Sequence, residues 1–338
     1  MTADRMPHFE LLAESEAIAA AVASASGCFQ QYEWVRAVAA ARARPHAYFA
    51  VRAHRGDQPP ALLFGAVHRR WGVAVFESMP MGGYGGWMSD SPLAADDERN
   101  LTECWLRWAK WPVVELTSRP GRGEVLPSAA PARLWPRRVR ERLAPREFTT
   151  QVLDLSGDEA ELLRRTRTSV RSYLRRVDDL GFAFERADDH GALVAMHRWY
   201  CSGSREWQQP GSTLPEAFFT SLERLGYAEV WTVRFHGRIV GAALFLVGRH
   251  EVQYQASGTE RIDSTLSAMD ALIWAAARHY RQRGLATMNL GASDGLESVA
   301  RFKKKFGAQS LTYLRATYIL PGRARLKWLA RSASPGPT

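Results

Sequence analysis

Three strand-length runs follow one another between Glu229 and Ala256, and this succession constrains the fold more than any other stretch. Glu229–Phe235 and Arg238–Val247 are dense in β-branched, aromatic and aliphatic residues and meet across His236-Gly237, a connection of hairpin length. His250–Ala256 adds a third strand. A long helix, Ser264–Arg283, follows after Asp263, and a short strand, Ala286–Leu290, comes next. Strands and helices alternating in this way predict an α/β fold with a mixed sheet.

That short strand opens the stretch with the most chemical promise, Asn289 to Gly307. It runs into Gly291-Ala-Ser-Asp-Gly295, where glycines flank Ser293 and Asp294 and permit close backbone approach to a ligand. The next helix carries Phe302 and Phe306 at i,i+4 on one apolar face, with Lys303, Lys304 and Lys305 fanned around the rest and Gly307 at its end. A helix with two core aromatics and solvated lysines is the plain alternative.

With 338 residues the chain has room for two domains, each with its own core. Three cysteines, Cys28, Cys104 and Cys201, are widely spaced and odd in number; they read as buried thiols and a reducing, cytoplasmic setting. No run reaches the roughly 18 apolar residues of a membrane span, and the N-terminus reads as no secretion signal. Charge is segregated. Arg133 to Arg176 holds twelve arginines and six acids, and from Val299 onward nine basic residues stand with no acid. Such patches suit a polyanionic partner.

In the first half, Ser15–Ser26 and Gln31–Arg42 read as helices, the second with Trp34, Val35 and Val38 spaced for burial. Strands follow at His46–Ala53, Ala61–His68 and Trp71–Glu77. Met79 to Gly86 then packs four glycines into five positions around Tyr84, so close approach of backbone to something is expected there, at Gly85 and Gly86. The pattern is neither a P-loop nor a Rossmann turn. Asp96–Lys110 reads as a helix and Val113–Thr117 as a strand. The Pro/Ala/Arg-rich stretch to Arg146 places a boundary near residue 147, giving domains 1–147 and 148–320 and a basic tail 321–338. The tail reads as a terminal helix, or as a basic amphipathic one that touches anionic lipid.

Beyond the strand Phe148–Leu155, one long helix is expected from a cap at Ser156 or Asp158 to Leu180, with Gly181 ending it. Arg164, Arg167, Arg171 and Arg175 then form one stripe about 16 Å long at roughly 1.5 Å per residue, enough to meet successive phosphates. Glu161 can pair with Arg164, and Asp178 or Asp179 with Arg175. A solvated charged face is the other reading. The closing strand is expected at Ser310–Ile319.

Taken in order, these residues resemble the Fem family of aminoacyl-tRNA-dependent transferases and their GNAT-like relatives. The resemblance runs through Phe29-Gln30 with Trp34, the loop Pro80–Gly86 ending in Tyr-Gly-Gly, the basic stretch Leu162–Arg176, and Gly181-Phe-Ala-Phe-Glu185. It continues through Tyr200 and Arg205 around a helix end, to Asn289-Leu-Gly291 and Phe302-Lys303 with Phe306-Gly307. It implies two tandem GNAT-like domains sharing a cleft, an acceptor side in the first and an aminoacyl-tRNA side in the second, with neither metal nor redox cofactor. The partners implied are aminoacyl-tRNA and a small-molecule or peptide amine, including a membrane-bound precursor reached peripherally.

Lys303 is then the candidate for the developing oxyanion, and Asp294 the nearest base or a loop cap. Tyr84, Gly85, Gly86, Tyr200, Arg205, Tyr254, Ser257, Asn289, Ser293 and Phe302 are the candidate substrate-binding residues, and the arginine stripe is the candidate tRNA surface. Two alternatives stand beside this. An acyl-CoA N-acyltransferase fits the same fold, but Gly258–Thr265 has one glycine and no pyrophosphate-binding [QR]xxGx[GA] turn, leaving Arg261 for one phosphate. A non-catalytic RNA-binding module is the other.

Overall fold

The computed structural model describes residues 7–23, 27–70, 72–81, 83–127, 143–187, 190–206, 215–222, 227–260, 262, 267–293 and 296–320. Asp294, Arg261, the arginines at 133–142 and the tail from 321 onward therefore lie outside the described residues. Two compact units form: Met1–Phe148 with Thr312–Thr338, and Thr149–Leu311. The closing strand, expected in the second domain, belongs from Thr312 onward to the first.

In the first unit β1 (His8–Leu12) leads into α1 (Glu14–Ala23) and α2 (Tyr32–Arg42). Then β2 (His46–Arg55), β3 (Gln58–Arg70) and β4 (Val73–Glu77) form an antiparallel meander, turning at Gly56 and Gly72, both at positive φ. After the two-residue β5 (Trp87–Met88), α3 (Ala95–Trp108) crosses over to β6 (Val113–Thr117), which pairs parallel with β4 over three residues, Val75–Glu77 against Val113–Glu115. β13 (Gln309–Ile319) runs antiparallel to β6 from Arg315 to Ile319, which is why the chain's last described strand joins this unit. Phe76, Trp87, Leu101 and Trp105 centre the core. Gly65 is required where β3 faces β4, since a Cβ there would fall into the Phe76 ring.

The second unit repeats the scheme. After β7 (Arg146–Asp154) come α4 (Glu159–Arg165), α5 (Thr168–Arg175), β8 (Phe182–Ala187), α6 (His190–Glu206) and α7 (Glu216–Leu222). β9 (Ala228–Phe235), β10 (Arg238–Val247) and β11 (Glu251–Thr259) form the meander expected from the sequence. His236 and Gly237 both take positive φ at its first turn, matching the right-handed strand twist. α8 (Ala268–Gln282) crosses to β12 (Thr287–Ala292), parallel to β11, and α9 (Glu297–Lys304) follows. α8 buries Leu272, Ile273, Trp274 and Tyr280 in the core. Among the described residues no helix is long and apolar enough to cross a membrane.

The single long helix expected up to Leu180 is two helices and a 3-10 turn. Asp158 caps the first, accepting from the Glu161 N–H at 2.7 Å. Thr166 and Arg167 then turn to extended backbone, and the Arg167 N–H donates to the Lys305 carbonyl at 2.7 Å. The helix breaks because its amide finds a partner outside the helix. Gly181 ends the segment as expected, at φ 82°.

Buried charge organises the first unit. Arg42 and Arg315 both reach Glu77, at 2.9 and 2.6 Å, while Arg70 and Arg315 reach Glu115. Burial alone would raise the Glu77 carboxyl, but the Arg315 and Arg42 guanidiniums outweigh it and hold it at about 2. Beside it His68 is fully buried, with Nδ1 3.9 Å from Glu77 Oε2; neither ring nitrogen has a hydrogen-bond partner among the described residues, and burial pushes the imidazole down to about 4. Its unfolded value of 6.5 lies above the folded one, so acid protonates the unfolded chain first. Stability therefore falls as pH drops from 6.5 towards 4, by at most about 1.4 kcal/mol per pH unit from this group. Glu77 extends the loss below 4.5. His68→Phe is expected to flatten the first part of this decline, measured by urea denaturation at pH 7, 5.5 and 4.5; an unchanged slope would show that His68 does not drive it.

Candidate functional site

The second unit contains a place where sheet hydrogen bonding stops. β11 and β12 pair only at Glu251–Gln253 against Thr287–Asn289. β11 bulges one residue later, between its pairings of Ala256 and Tyr254 with β10, and Gly291 bends β12 at φ 79°. The backbone groups freed by this divergence need other partners. Lys303 supplies two of them: its ammonium donates to the carbonyls of Gly291 and Ala292 at 2.9 and 2.6 Å. Asn289 Oδ1 accepts from the Gly291 N–H at 2.8 Å and from Thr150 Oγ1 at 2.6 Å. Ser293 Oγ donates to Gln151 Oε1 at 2.7 Å.

Gln253 stands at the last paired position. Its Nε2 donates to the Tyr254 carbonyl at 3.1 Å, which fixes the amide's orientation. Its Oε1 is left buried with no donor among the described residues. A Cβ on Gly291 would sit 3.5 Å from Gln253 Nε2, 3.6 Å from the Tyr254 carbonyl oxygen and 3.8 Å from Lys303 Nζ, so these groups pack closely around one corner of the sheet. The divergence thus joins a fixed cation, an orphan acceptor and a tightly turned backbone.

The residues singled out in the sequence distribute around this corner unevenly. Asn289, Ser293 and Lys303 line it. Lys303, the candidate for the developing oxyanion, is only 5% exposed, its ammonium drawn onto the loop carbonyls. Tyr254 and Ser257 lie further along β11, their hydroxyls hydrogen-bonded to each other. Burial pushes the Tyr254 phenol up to about 12, so it is protonated at neutral pH. Tyr200 comes to β11 through Gly258, where a Cβ would collide with the Tyr200 N and the Trp199 backbone of α6. Arg205 belongs to α6, with its side chain outside the described residues, as is Asp294. Phe302 and Phe306 share one face as expected, rings 5.5 Å apart, but they pack against the core.

Lys305 departs from the plain alternative of a solvated lysine: its ammonium meets both carboxylate oxygens of buried Asp270 at 2.6 Å and lies 4.3 Å from the Phe302 ring centroid. This pair fastens α9 to α8. Lys304 is exposed.

The arginine stripe is corrected. The helix break removes its continuity, and Arg171 folds back so that Nη2 donates to the carbonyls of Arg164 and Thr166 at 2.8 Å each. Arg164 pairs loosely with Glu161, as expected. Asp178 pairs with Arg278 at 2.7 Å rather than with Arg175. Arg164, Arg167, Arg175 and Arg176 remain exposed on this face.

Tyr84, Gly85 and Gly86 lie in the first unit, in a closely packed loop. Gln30 Nε2 donates to the Tyr84 carbonyl at 2.8 Å, Trp34 Nε1 to the Pro80 carbonyl at 2.9 Å, and the Tyr84 ring packs edge-on to Phe29. Gly85 faces Ser78 and Thr117; a Cβ on Gly86 would lie 2.9 Å from Glu98 Oε1. The close approach expected of these glycines is made by the protein's own groups. Sequence reasoning passed over Gln151, Gln253 and Asp270, because no local spacing ties them to the groups they meet.

Residues 164–304 match the acetyltransferase (GNAT) domain family. No curated protein matches the sequence. Among solved structures the chain is similar to FemX, at 13% identity with a TM-score of 0.61, over 93% of this chain and 97% of that one. It is also similar to a C-terminal domain assigned to a lysylphosphatidylglycerol synthetase of Agrobacterium fabrum (14% identity, TM-score 0.53, covering 95% and 97%). L-PGS from Bacillus licheniformis follows at 12% identity and a TM-score of 0.52, covering 94% and 96%. At these identities the likeness is one of fold.

The two lysines can be separated by stability. Breaking a buried pair costs roughly 3–5 kcal/mol. Lys305→Ala should approach that cost in the second unit, while Lys304→Ala should stay within about 0.5 kcal/mol. Urea denaturation of both variants checks this, and equal effects would refute the assignment.

Proposed function

From the acetyltransferase (GNAT) match over residues 164–304 and the likeness of fold to FemX, we propose that the chain is an acyltransferase that moves an aminoacyl group from the 3′ ester of an aminoacyl-tRNA to an acceptor amine. The amine nitrogen attacks the ester carbonyl, the new C–N bond forms, the C–O bond to the ribose breaks, and the departing ribose oxygen takes up the proton the amine gives up. The observation that carries this reading is the hydrogen bond from the Arg167 N–H to the Lys305 carbonyl. It joins the exposed arginine face to the helix that bears Lys303, so a polyanion lying along Arg164, Arg167 and Arg175 is led towards the diverging strands.

At the divergence Lys303 places a fixed positive charge, already oriented by two carbonyls, near the charge that develops on the ester oxygen. Gln253 Oε1 takes an N–H of the incoming amine and so aims its lone pair. The ester is activated before it arrives, and positioning supplies much of the remaining rate. The role of base stays with Asp294 or with the acceptor's surroundings.

The second reading is acyl transfer from an acyl-CoA, favoured by the acetyltransferase family match over residues 164–304. Against it stands the sequence Gly258–Thr265, which has a single glycine and lacks the [QR]xxGx[GA] pattern of a pyrophosphate-binding turn.

Radiolabelled aminoacyl-tRNA and acetyl-CoA, offered separately with a panel of amines, decide between the two; label in product from acetyl-CoA alone would overturn the first reading. Within the site, Lys303→Met should lower kcat by about 10²-fold, as loss of an oxyanion-stabilising group does. Gln253→Leu should raise KM for the amine about tenfold with little change in Tm, because removing the unpaired buried acceptor offsets the lost hydrogen bond from Nε2 to the Tyr254 carbonyl. Near-normal turnover in Lys303→Met would remove Lys303 from the mechanism.

A further inference from the structure

The first unit holds a pocket of about 230 Å³ lined by Trp87, Ser89, Ser91, Leu93, Arg119 and Arg122, with prolines completing its wall. Among the described residues the only charged side chains lining it are the two guanidiniums. Glu98 holds both arginines from beneath rather than entering the pocket: its Oε2 accepts from Arg119 Nη2 at 3.3 Å and from Arg122 Nη2 at 3.1 Å, and it is 1% exposed. Its Oε1 accepts from the Trp87 N–H at 3.2 Å. Arg122 Nη2 also donates to the Leu93 carbonyl at 2.8 Å, and its Nε lies a loose 3.9 Å from exposed Glu124.

One buried carboxylate thus fastens two cations side by side. Their Nη1 groups meet no acceptor among the described residues, and each side chain stays about one-third exposed. A third guanidinium, Arg55, donates to Ser89 Oγ at 3.0 Å, leaving that hydroxyl's own proton to give. Arg119 and Arg122 share the single buried carboxylate of Glu98, which leaves net positive charge facing the pocket, and guanidiniums side by side suit the paired oxygens of a carboxylate or phosphate.

From this geometry we infer that the pocket binds one oxyanionic group, a carboxylate or a phosphate ester, of the acceptor molecule. Its volume fits such a group with a few attached atoms against the Trp87 ring and is too small for a nucleic-acid backbone. That the bound molecule is the acceptor rests on the transfer reading; the pocket's affinity for an oxyanion does not.

The test uses the full chain without any donor. Inorganic phosphate and acetate are titrated separately by calorimetry, against wild type, Arg119→Gln and Ser91→Asp. Arg119→Gln leaves Arg122 on Glu98, and Ser91→Asp alters only an exposed residue while adding a negative charge at the pocket. Saturable binding of one probe is expected, phosphate marking a phosphorylated acceptor and acetate a carboxylated one, weakened at least tenfold in both variants. No saturable binding by wild type, or binding that Ser91→Asp leaves intact, overturns the inference whether or not aminoacyl transfer is observed. Loss of transfer with anion binding intact would instead count against the transfer reading alone.

Discussion

Everything proposed for the second unit depends on where the parallel pairing of β11 and β12 ends. Past Gln253 and Asn289 the strands no longer satisfy each other, and a buried carbonyl without a donor costs about as much as a lost hydrogen bond. Lys303 answers that cost by reaching the Gly291 and Ala292 carbonyls. The same solution leaves a cation fixed where the two strands part. Structural need and chemical opportunity coincide in one side chain.

The surroundings keep that side chain in place. Lys305, two residues on, pins the end of α9 to Asp270 and lies against Phe302. The carbonyl of Lys305 accepts the Arg167 N–H, and Gly307 leaves room for the Arg165 backbone, since a Cβ there would stand 2.7 Å from its carbonyl oxygen. These contacts break the basic helix and at the same time attach it to the lysine helix. A straight helix would present a longer stripe, but with no backbone link to the site.

The first unit uses its glycines differently. Four close-set glycines invite the expectation of a ligand, yet Gln30, Trp34, Ser78 and Glu98 occupy much of the space they open. Phe29-Gln30, Trp34 and the Tyr84 loop, three separate resemblances along the chain, are one packed assembly. The group best placed to meet a ligand is the arginine pair behind that loop, which Glu98 holds together.

Local order was legible from the sequence. The hairpin at His236-Gly237, the meander and its crossover helix, the terminator Gly181 and the shared face of Phe302 and Phe306 all follow from periodicity and from glycine's access to positive φ. Those signals act over a few residues. Tertiary structure alone decided that β13 pairs with β6, that Arg167 would leave its helix, that Lys303 would be buried, and that Lys305 would find Asp270 at a separation of 35 residues. A lysine's spacing on a helix fixes which way it points. Whether it meets water, a carbonyl or a carboxylate is set by what packs opposite, and no local pattern carries that information.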